Sequence, residues 1–335
     1  MLTHAQILEN WFNSMDKDLR LTLFGPSLAK VYATAKTGKI ATDQIKLSGL
    51  PEIPLSGPAY TDYSLSYILD SVLKGDIVNS ALNDTLPLIK KIATVVPVKK
   101  SLFMEFDAGS GNDTAHPSLF FKTGKPDSAD GLIALFKQES PHPRRWEMFE
   151  KIWGQIKGQW RLVYIGLMPR RKDSPVRIIL SPDTQQPHDN PVEELEALFT
   201  ALGYPFPHSD VLQKFDVIWQ INRTIPYSAS YTLCLDLLPD GTWGKTIGME
   251  IFQELLNGKK QIIASYREKL IHQFRDWQLA DERVNLLGDC EKMLLIPDSE
   301  TEKKYLLCSY LNHFKLRWQD DNPLPVKAYF QLHEV

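Results

Sequence analysis

The chain of 335 residues has little cysteine, no strong excess of charge and no long apolar run. Its three cysteines, Cys234, Cys290 and Cys308, are far apart and odd in number, which argues against a disulfide scaffold and fits a reducing compartment. The net charge of −3 excludes the basic field typical of a nucleic-acid binder. No stretch approaches the length of about eighteen apolar residues that a membrane span needs. We therefore expect a soluble, cytoplasmic protein that binds neither nucleic acid nor membrane.

The motifs of several common enzyme classes are also missing. The segment AGSGNDTA (108–115) lacks one glycine of a dinucleotide-binding loop and is more typical of a hairpin turn. There is no G-x-x-x-x-G-K-[ST], H-E-x-x-H, C-x-x-C or G-x-S-x-G pattern. These absences argue against a P-loop nucleotide site, a metal cage and a serine hydrolase. The sequence also lacks the spaced aspartates that chelate magnesium in all-helical prenyl synthases.

The composition and length are those of a globular protein with a substantial core. Hydrophobic residues make up 43% of the chain and charged residues 24%. A chain of this length forms either two average domains or one large closed fold. No low-complexity linker divides the repeated region described next, so we expect a single domain over 1–335.

The order of predicted elements changes near residue 100. Residues 1–95 are predicted to be mainly helical, from apolar spacing in ILENWFNSM, LAKVYATA, YSLSYILDSVLKG and LNDTLPLIKKIATVV around a Gly/Pro-rich passage at 48–60. Residues 100–335 repeat a strand–strand–helix–helix order four times, roughly every 60–75 residues. The strand pairs fall in 101–124, 160–182, 231–252 and 315–332. A first repeat within residues 1–95 cannot be recognised clearly from the sequence pattern.

This repetition predicts an α+β fold in which α-β-β-α units close an antiparallel β-barrel. Hairpins joined edge to edge leave exposed edges unless the sheet closes. Helices between the hairpins would cover the apolar outer face, and the inner face would line a central lumen.

Alternation gives each predicted strand one apolar and one polar face. The polar positions carry many of the charges: Arg177, Lys315, Arg317, Lys327, Glu105, Asp236 and Glu250. These side chains point either into bulk water or into one shared lumen. In a lumen, the cations and carboxylates would suit a bound anion at one end and a polar or cationic group at the other.

Residues 100–335 resemble the ABBA aromatic prenyltransferases, which act on indoles, phenols and cyanobactin peptides. The resemblance rests on the order of the repeats and on VKAYF (326–330), which is similar to the Lys-x-Tyr strand signature of the fungal indole branch. It implies an enzyme of secondary metabolism that moves an allylic prenyl group from its diphosphate to an aromatic small molecule or peptide. It further implies a monomer without an obligatory cofactor, with Mg²⁺ possible.

The resemblance also implies roles for individual residues. The diphosphate would be bound by inward cations: Arg177, Lys315, Arg317 and Lys327. Fixed cations stabilise the departing pyrophosphate. The allylic cation would be shielded by aromatic rings: Tyr329, Tyr164 and Tyr231. A carboxylate orients the acceptor and helps to remove a proton; Glu105 is the first candidate for this role and Glu250 the second.

Simpler interpretations of the same residues stay open. Lys315 and Lys327 are equally consistent with solvated cross-strand neighbours of acidic residues, and Glu105 with a partner of Lys122 across its own hairpin. A non-catalytic barrel would bind an amphipathic small molecule or peptide with the same lumen. An open sheet used for protein–protein contact would have flat, fully wet polar faces.

Overall fold

A computed structural model gives the fold in two compact units. It describes residues 4–27, 31, 38–40, 48–75, 77–79, 85–96, 101–107, 117–123, 126–168, 174–183, 190–223, 231–252, 260–297 and 303–334. Unit 1 comprises Met1–Lys122, Asp281–His313 and Lys327–Val335, and unit 2 comprises Thr123–Ala280 and Phe314–Val326. The single-domain organisation stays a prediction.

The helices after residue 120 lie where the apolar spacing predicts them. The bounds are α1 His4–Asn13, α2 Lys17–Phe24, α3 Leu69–Leu73, α4 Leu86–Ile92, α5 Pro126–Glu139, α6 Pro143–Ile156, α7 Pro191–Ala201, α8 Ser209–Arg223 and α9 Lys260–Asp276, with 3₁₀ helices at Gly25–Ser27 and Glu282–Cys290. The predicted Asn-Pro start of α7 is confirmed, since the Asn190 side chain accepts the Glu193 N–H. Except for Val31, the predicted helix LAKVYATA lies outside the described residues. None of the described helices is both long and apolar enough to cross a bilayer.

The strands form one large antiparallel sheet and one small one. The bounds are β1 Gly38–Ile40, β2 Ser48–Pro54, β3 Asp62–Ile68, β4 Ile77–Asn79, β5 Ser101–Phe106, β6 Ser118–Lys122, β7 Trp160–Leu167, β8 Val176–Pro182, β9 Tyr231–Leu237, β10 Trp243–Phe252, β11 Lys292–Pro297, β12 Lys304–Gln319 and β13 Asn322–Glu334. Strands β1 and β4 pair with each other. The order of the large sheet is β10-β9-β8-β7-β6-β5-β3-β2-β13-β12-β11, and β10 also pairs with β12.

This strand order confirms the predicted fold class, an antiparallel β-barrel built from hairpins with helices between them. Strand β10 stands at one end of the order, so its additional pairing with β12 closes the sheet. The open-sheet interpretation is therefore wrong. Strand β11, which pairs with the first half of β12, was not predicted.

The first repeat is the hairpin formed by β2 and β3, where the sequence predicted a Gly/Pro-rich interruption followed by a helix. The helical interpretation of YSLSYILDSVLKG is wrong over Asp62–Ile68. There Tyr63, Leu65 and Tyr67 are buried and the serines between them are less so, which is the period of a strand. Strand β2 contains Pro51 and Pro54, and proline inside a strand normally argues against one.

The predicted apolar faces are buried in both units. In unit 1, Leu102, Met104 and Phe106 of β5 are buried, whereas Phe103 and Glu105 are partly exposed. In unit 2, the buried positions on alternate residues are Ile178, Leu180, Leu233, Leu235, Leu237, Ile247, Met249, Ile251, Phe314, Leu316 and Trp318. Alternation alone therefore separates the core side chains from the polar ones.

The turn DDNP between β12 and β13 also caps a helix of unit 2. Asp320 and Asp321 have positive φ angles of 50° and 61°, as the two central residues of a type I′ hairpin turn require. The Asp321 carboxylate accepts hydrogen bonds from Ser209 Oγ at 2.8 Å and from the Asp210 N–H at 3.0 Å. The Asp321 carboxylate thereby accepts hydrogen bonds from donors at the start of α8, including a backbone N–H that has no partner within the helix.

We expect Asp321→Ala to lower the free energy of unfolding by about 1–2 kcal/mol, because it removes this cap. Asp320→Ala is the matched control: it changes the same residue type at a positive φ, but Asp320 makes a half-exposed ion pair with Lys245. Denaturant unfolding followed by circular dichroism measures both. Equal losses in the two variants would show that backbone conformation, not capping, accounts for the effect.

Candidate active site

The polar side chains of unit 2 share one face of its strands. Cross-strand register places Arg177 opposite Asp236, and Cys234 opposite both Ile179 and Gly248. Directly opposed residues of antiparallel strands point to the same face. Strands β8, β9 and β10 therefore present these side chains together.

Arg177 makes a bidentate ion pair with Asp236. Its Nε donates to Asp236 Oδ1 at 2.8 Å and its Nη2 donates to Oδ2 at 3.1 Å. The two side chains are only 12% and 15% exposed. A fork-to-fork pair of this kind fixes the orientation of the guanidinium.

Lys315 of β12 is ion-paired with Glu250 of β10. Its Nζ donates to Glu250 Oε1 at 2.9 Å, and Glu250 also accepts from Thr232 Oγ1 at 2.9 Å and from the Cys234 thiol at 3.4 Å. Lys315 is thus a neighbour of an acidic residue, as the simpler interpretation has it, but it is buried rather than solvated.

Gly248 leaves the space that the Lys315 side chain occupies. A Cβ atom at Gly248 would lie 3.0 Å from Lys315 Cε and 3.2 Å from Cys234 Cβ. Both separations are shorter than ordinary carbon–carbon contacts. The absence of a side chain at this position lets Lys315 lie close against β10 and reach Glu250.

Arg317 differs from Arg177 and Lys315 in its partners. Its Nη2 donates to the Pro325 carbonyl at a long 3.4 Å. Its Nε is buried and, within the described part of the chain, has no hydrogen-bond partner. A buried donor that is left unsatisfied is costly, so this group is suited to an acceptor that the described residues do not supply.

Of the two unit 2 tyrosines predicted to shield a cation, one lies at this face and one does not. Tyr164 is opposite Ile179, and burial, followed by the Glu250 carboxylate, raises its pKa, so the phenol stays neutral. Tyr231 belongs to the buried set Leu233, Leu235 and Leu237, and its ring packs on Trp160 and Phe215. Tyr231 is therefore a core residue on the opposite face, and the shielding role predicted for it is not supported.

Cys234 lies among the ion pairs of this face but is not poised as a nucleophile. Burial, more than the Glu250 carboxylate, raises the pKa of its thiol to about 12, although Lys315 and Arg177 act in the opposite direction. The thiolate is the nucleophilic form of cysteine. We therefore assign it no chemical step.

In unit 1, Lys327 binds two buried carboxylates. Its Nζ donates to Glu52 Oε1 and, at 3.1 Å, to Asp62 Oδ2, and it lies 5.2 Å from the centre of the Tyr60 ring. Glu52 and Asp62 are directly opposite each other on β2 and β3 and are 2% and 3% exposed. Lys327 is thus buried in contact with two carboxylates. It is a cross-strand neighbour of acidic residues, as the simpler interpretation has it, but it is not solvated.

Glu52, Asp62 and Tyr60 were not predicted as site residues from the sequence. They lie in or beside the first repeat, whose strands were not recognised. The alternation of Tyr63, Leu65 and Tyr67 was the available signal, since it predicts a strand that begins near Asp62.

The electrostatics of Glu52 are set by Lys327. Burial raises the pKa of Glu52, but the Lys327 charge and hydrogen bonds with Asp62, Lys327 and Tyr329 lower it by more, so that it lies well below its usual range. Glu52 is therefore ionised at neutral pH. Its Oε2 atom is buried and accepts no hydrogen bond from the described residues.

Tyr329 and Glu105 also belong to unit 1. Tyr329 is opposite Glu52 in the β13–β2 register and stacks on the His313 ring, with 4.2 Å between the ring centres. Glu105 is partly exposed and lies opposite Ser64 and Ser118. Since Ser118, not Lys122, stands opposite Glu105, the register does not favour the predicted Glu105–Lys122 pair.

The described residues contain no group of three or more His, Cys, Asp or Glu side chains placed to hold a metal ion. The dependence on Mg²⁺ stays a prediction. The predicted site residues are divided between the two units. Unit 2 contains Arg177, Lys315, Arg317, Glu250 and Tyr164, and unit 1 contains Lys327, Tyr329 and Glu105.

Comparison with known proteins shows the fold of the chain. No protein-family model matches it, and no curated protein has a similar sequence. Among solved structures, it is similar to AnaPT from Neosartorya fischeri, with a TM-score of 0.57 and 12% identity over 98% of this chain and 91% of that one. It is also similar to NotF prenyltransferase, with a TM-score of 0.54 and 8% identity over 98% and 92%. The likeness shows the fold alone: the chain has the ABBA fold of these structures.

Proposed function

We propose that the protein is an aromatic prenyltransferase, a transferase of alkyl groups other than methyl. It moves an allylic prenyl group from its diphosphate to an indole, phenol or peptide side chain in the synthesis of a natural product. The fold supports this assignment. The observation that carries it is the buried Nε of Arg317, which has no hydrogen-bond partner among the described residues and lies two positions from buried Lys315 on one strand.

The first step breaks the allylic C–O bond, and its electron pair leaves with the pyrophosphate. We assign the stabilisation of that charge to Arg177, Lys315 and Arg317 of unit 2. Preorganised cations in a poorly hydrated site stabilise such a developing charge more than water does. Lys327, the fourth predicted diphosphate ligand, belongs to unit 1 and contacts two carboxylates rather than one, and we leave it out of this set.

In the second step the acceptor attacks the allylic cation and loses a proton. The ring of Tyr164 in unit 2 is the proposed shield, since aromatic faces attract cations, and Glu250 of the same unit is the proposed proton acceptor. The corresponding roles of Tyr329 and Glu105, which belong to unit 1, stay predictions. We assign no step to Mg²⁺.

A second candidate function is supported by the ion pairs themselves. Arg177, Lys315 and Lys327 each have a carboxylate within salt-bridge distance, so their charge is already compensated. A non-catalytic barrel that binds an amphipathic small molecule or peptide needs no convergent cations. Binding of such a ligand without any affinity for allylic diphosphates would favour it.

We expect product formation when the protein is incubated with C5 to C15 allylic diphosphates and a panel of indoles, phenols and aromatic peptides. Mass spectrometry detects the added prenyl group on the acceptor. Assays with and without Mg²⁺ test whether the cations of the chain suffice. The absence of both product and diphosphate-dependent stabilisation across the panel would rule out the proposed function.

We expect Arg317→Gln to weaken the binding of geranyl S-thiolodiphosphate, a slowly ionising analogue, by roughly tenfold or more. The change removes a charge-assisted hydrogen-bond donor, which contributes about 1.5–3 kcal/mol. Lys245→Gln is the control, because Lys245 is half-exposed on the same unit, where its contacts are with the turn residue Asp320 and the Phe206 ring. Titration calorimetry gives both affinities. Equal affinity in wild type and Arg317→Gln would remove Arg317 from the site.

We expect Gly248→Ala to weaken binding of the same analogue several-fold. The added methyl displaces the flexible end of Lys315, and because it also lies 3.2 Å from Cys234 Cβ, we expect a modest fall in melting temperature as well. Gly154→Ala in α6 is the control, since nothing lies within 4 Å of a Cβ atom there. Unchanged affinity in Gly248→Ala would show that the position of Lys315 is unimportant for the diphosphate.

A further inference from the structure

We propose that two copies of the chain form a twofold-symmetric dimer, in which β11 of unit 1 pairs with β11 of the second copy. The family resemblance implies a monomer, whereas the open edge and the exposed side chains of β11 point to self-association. Pairing through this edge does not depend on the proposed enzymatic activity.

Strand β11 leaves one edge of the large sheet open. It is the last strand in the sheet order, and among the described residues it pairs only with β12. Edge strands are usually protected against further pairing by charged residues, proline or a β-bulge. The four central residues of β11, MLLI (293–296), contain no charge and no proline, and their register with β12 is continuous. The strand is therefore able to accept a further strand.

The exposed side chains of β11 are large and apolar. Four large apolar side chains are exposed among the described residues, and the two most exposed are Met293 at 68% and Leu295 at 60%. They share one face of the hairpin with half-buried Cys308 and Leu306 of β12, which stand directly opposite them. A contiguous exposed apolar surface is typical of a protein interaction site.

The sequence of β11 is complementary to itself when two copies run antiparallel. If the twofold axis passes through Leu294, Met293 of one copy stands directly opposite Leu295 of the other, and symmetry creates the same pair a second time. Each exposed apolar side chain is then covered by another. A shift by one residue would instead bring Met293 against Ile296, which is buried on the opposite face of β11.

The charges at the ends of the strand favour the same register. In it, Pro297 stands opposite Glu291 of the second copy, and Lys304 of β12 lies beside Pro297 on the same face. Lys304 is exposed and Glu291 is half-exposed. Each end of the interface thus brings a lysine of one copy towards a carboxylate of the other, and no like charges stand directly opposite each other. Charge complementarity of this kind helps to select a partner and a register.

Sedimentation velocity of the full chain over a range of protein concentrations tests whether the dimer forms. We expect a pair of six-residue strands to bury less than the roughly 1,200 Å² at which stable interfaces begin. The dimer should therefore exchange with the monomer, and the average mass of wild-type protein should rise towards that of two chains as the concentration increases.

Two charged variants test whether β11 forms the contact and in which register. We expect Leu295→Lys to weaken dimerisation by at least about tenfold, because symmetry places the new charge against an apolar side chain at two points. We expect a similar loss in Met293→Glu. An equimolar mixture of the two variants should recover the dimer, since the introduced lysine and glutamate then stand opposite each other.

Leu21→Lys is the matched control. Leu21 is an exposed leucine on α2 of the same unit, at 52% exposure, and its substitution should leave dimerisation as in wild type. Thermal unfolding followed by circular dichroism checks that all three variants keep the wild-type fold.

Three results would overturn the proposal. Wild-type protein that stays monomeric at every concentration would leave the edge to an extended segment of a different protein. Unchanged dimerisation in Leu295→Lys would assign the contact to another surface. A mixture of Leu295→Lys and Met293→Glu that stays monomeric would exclude the register centred on Leu294. Recovery of the dimer in the mixture supports pairing through β11, whatever the outcome of the prenyl-transfer assays.

Discussion

The structure depends on the alternation of side chains along antiparallel strands. A strand with one face on the core buries alternate residues, and in β5, β8, β9 and β10 these are mainly leucine, isoleucine, methionine and phenylalanine side chains. The remaining positions are thereby collected on the opposite face, whatever their chemistry. Charged residues at those positions meet one another because the backbone register brings them together, not because their attraction drives the fold.

Because charged residues are gathered on one face of the strands, their charges must be compensated there. Lys315, Lys327 and Arg177 are far from bulk water, and charges in such places must be compensated. Each has a carboxylate on a neighbouring strand. The pairs hold the cations in fixed positions, but they also reduce the charge available to an anion. Arg317, with its unsatisfied Nε, is the side chain of unit 2 that most clearly offers a hydrogen bond to a ligand.

The two units differ in the balance of cationic and anionic side chains on their polar strand faces. In unit 2, Asp236 and Glu250 stand against Arg177, Lys315 and Arg317, which suits an anion. In unit 1, Glu52 and Asp62 both accept hydrogen bonds from Lys327. From the sequence we expected a shared set of four cations for one diphosphate. The structure divides that set between two chemical environments.

Most of the fold was predictable from local pattern. Four hairpins, their turns and the helices between them follow from alternation and apolar spacing, and the ABBA resemblance rests on the same regularity. The first hairpin was not predicted, because Pro51 and Pro54 interrupt β2 and the serines of β3 resemble a loop. Glu52 and Asp62, the partners of Lys327, lie on that hairpin and were therefore not predicted either.

The sequence by itself determined which residues share a face of a strand, because that depends only on a period of two. It identified Arg177, Lys315, Arg317, Lys327 and Glu250 as polar-face residues. Only the tertiary structure decided which charge meets which. Glu52 and Lys327 are 275 positions apart and Glu250 and Lys315 are 65 apart. Such contacts depend on strand order and register between distant segments, which local periodicity does not encode.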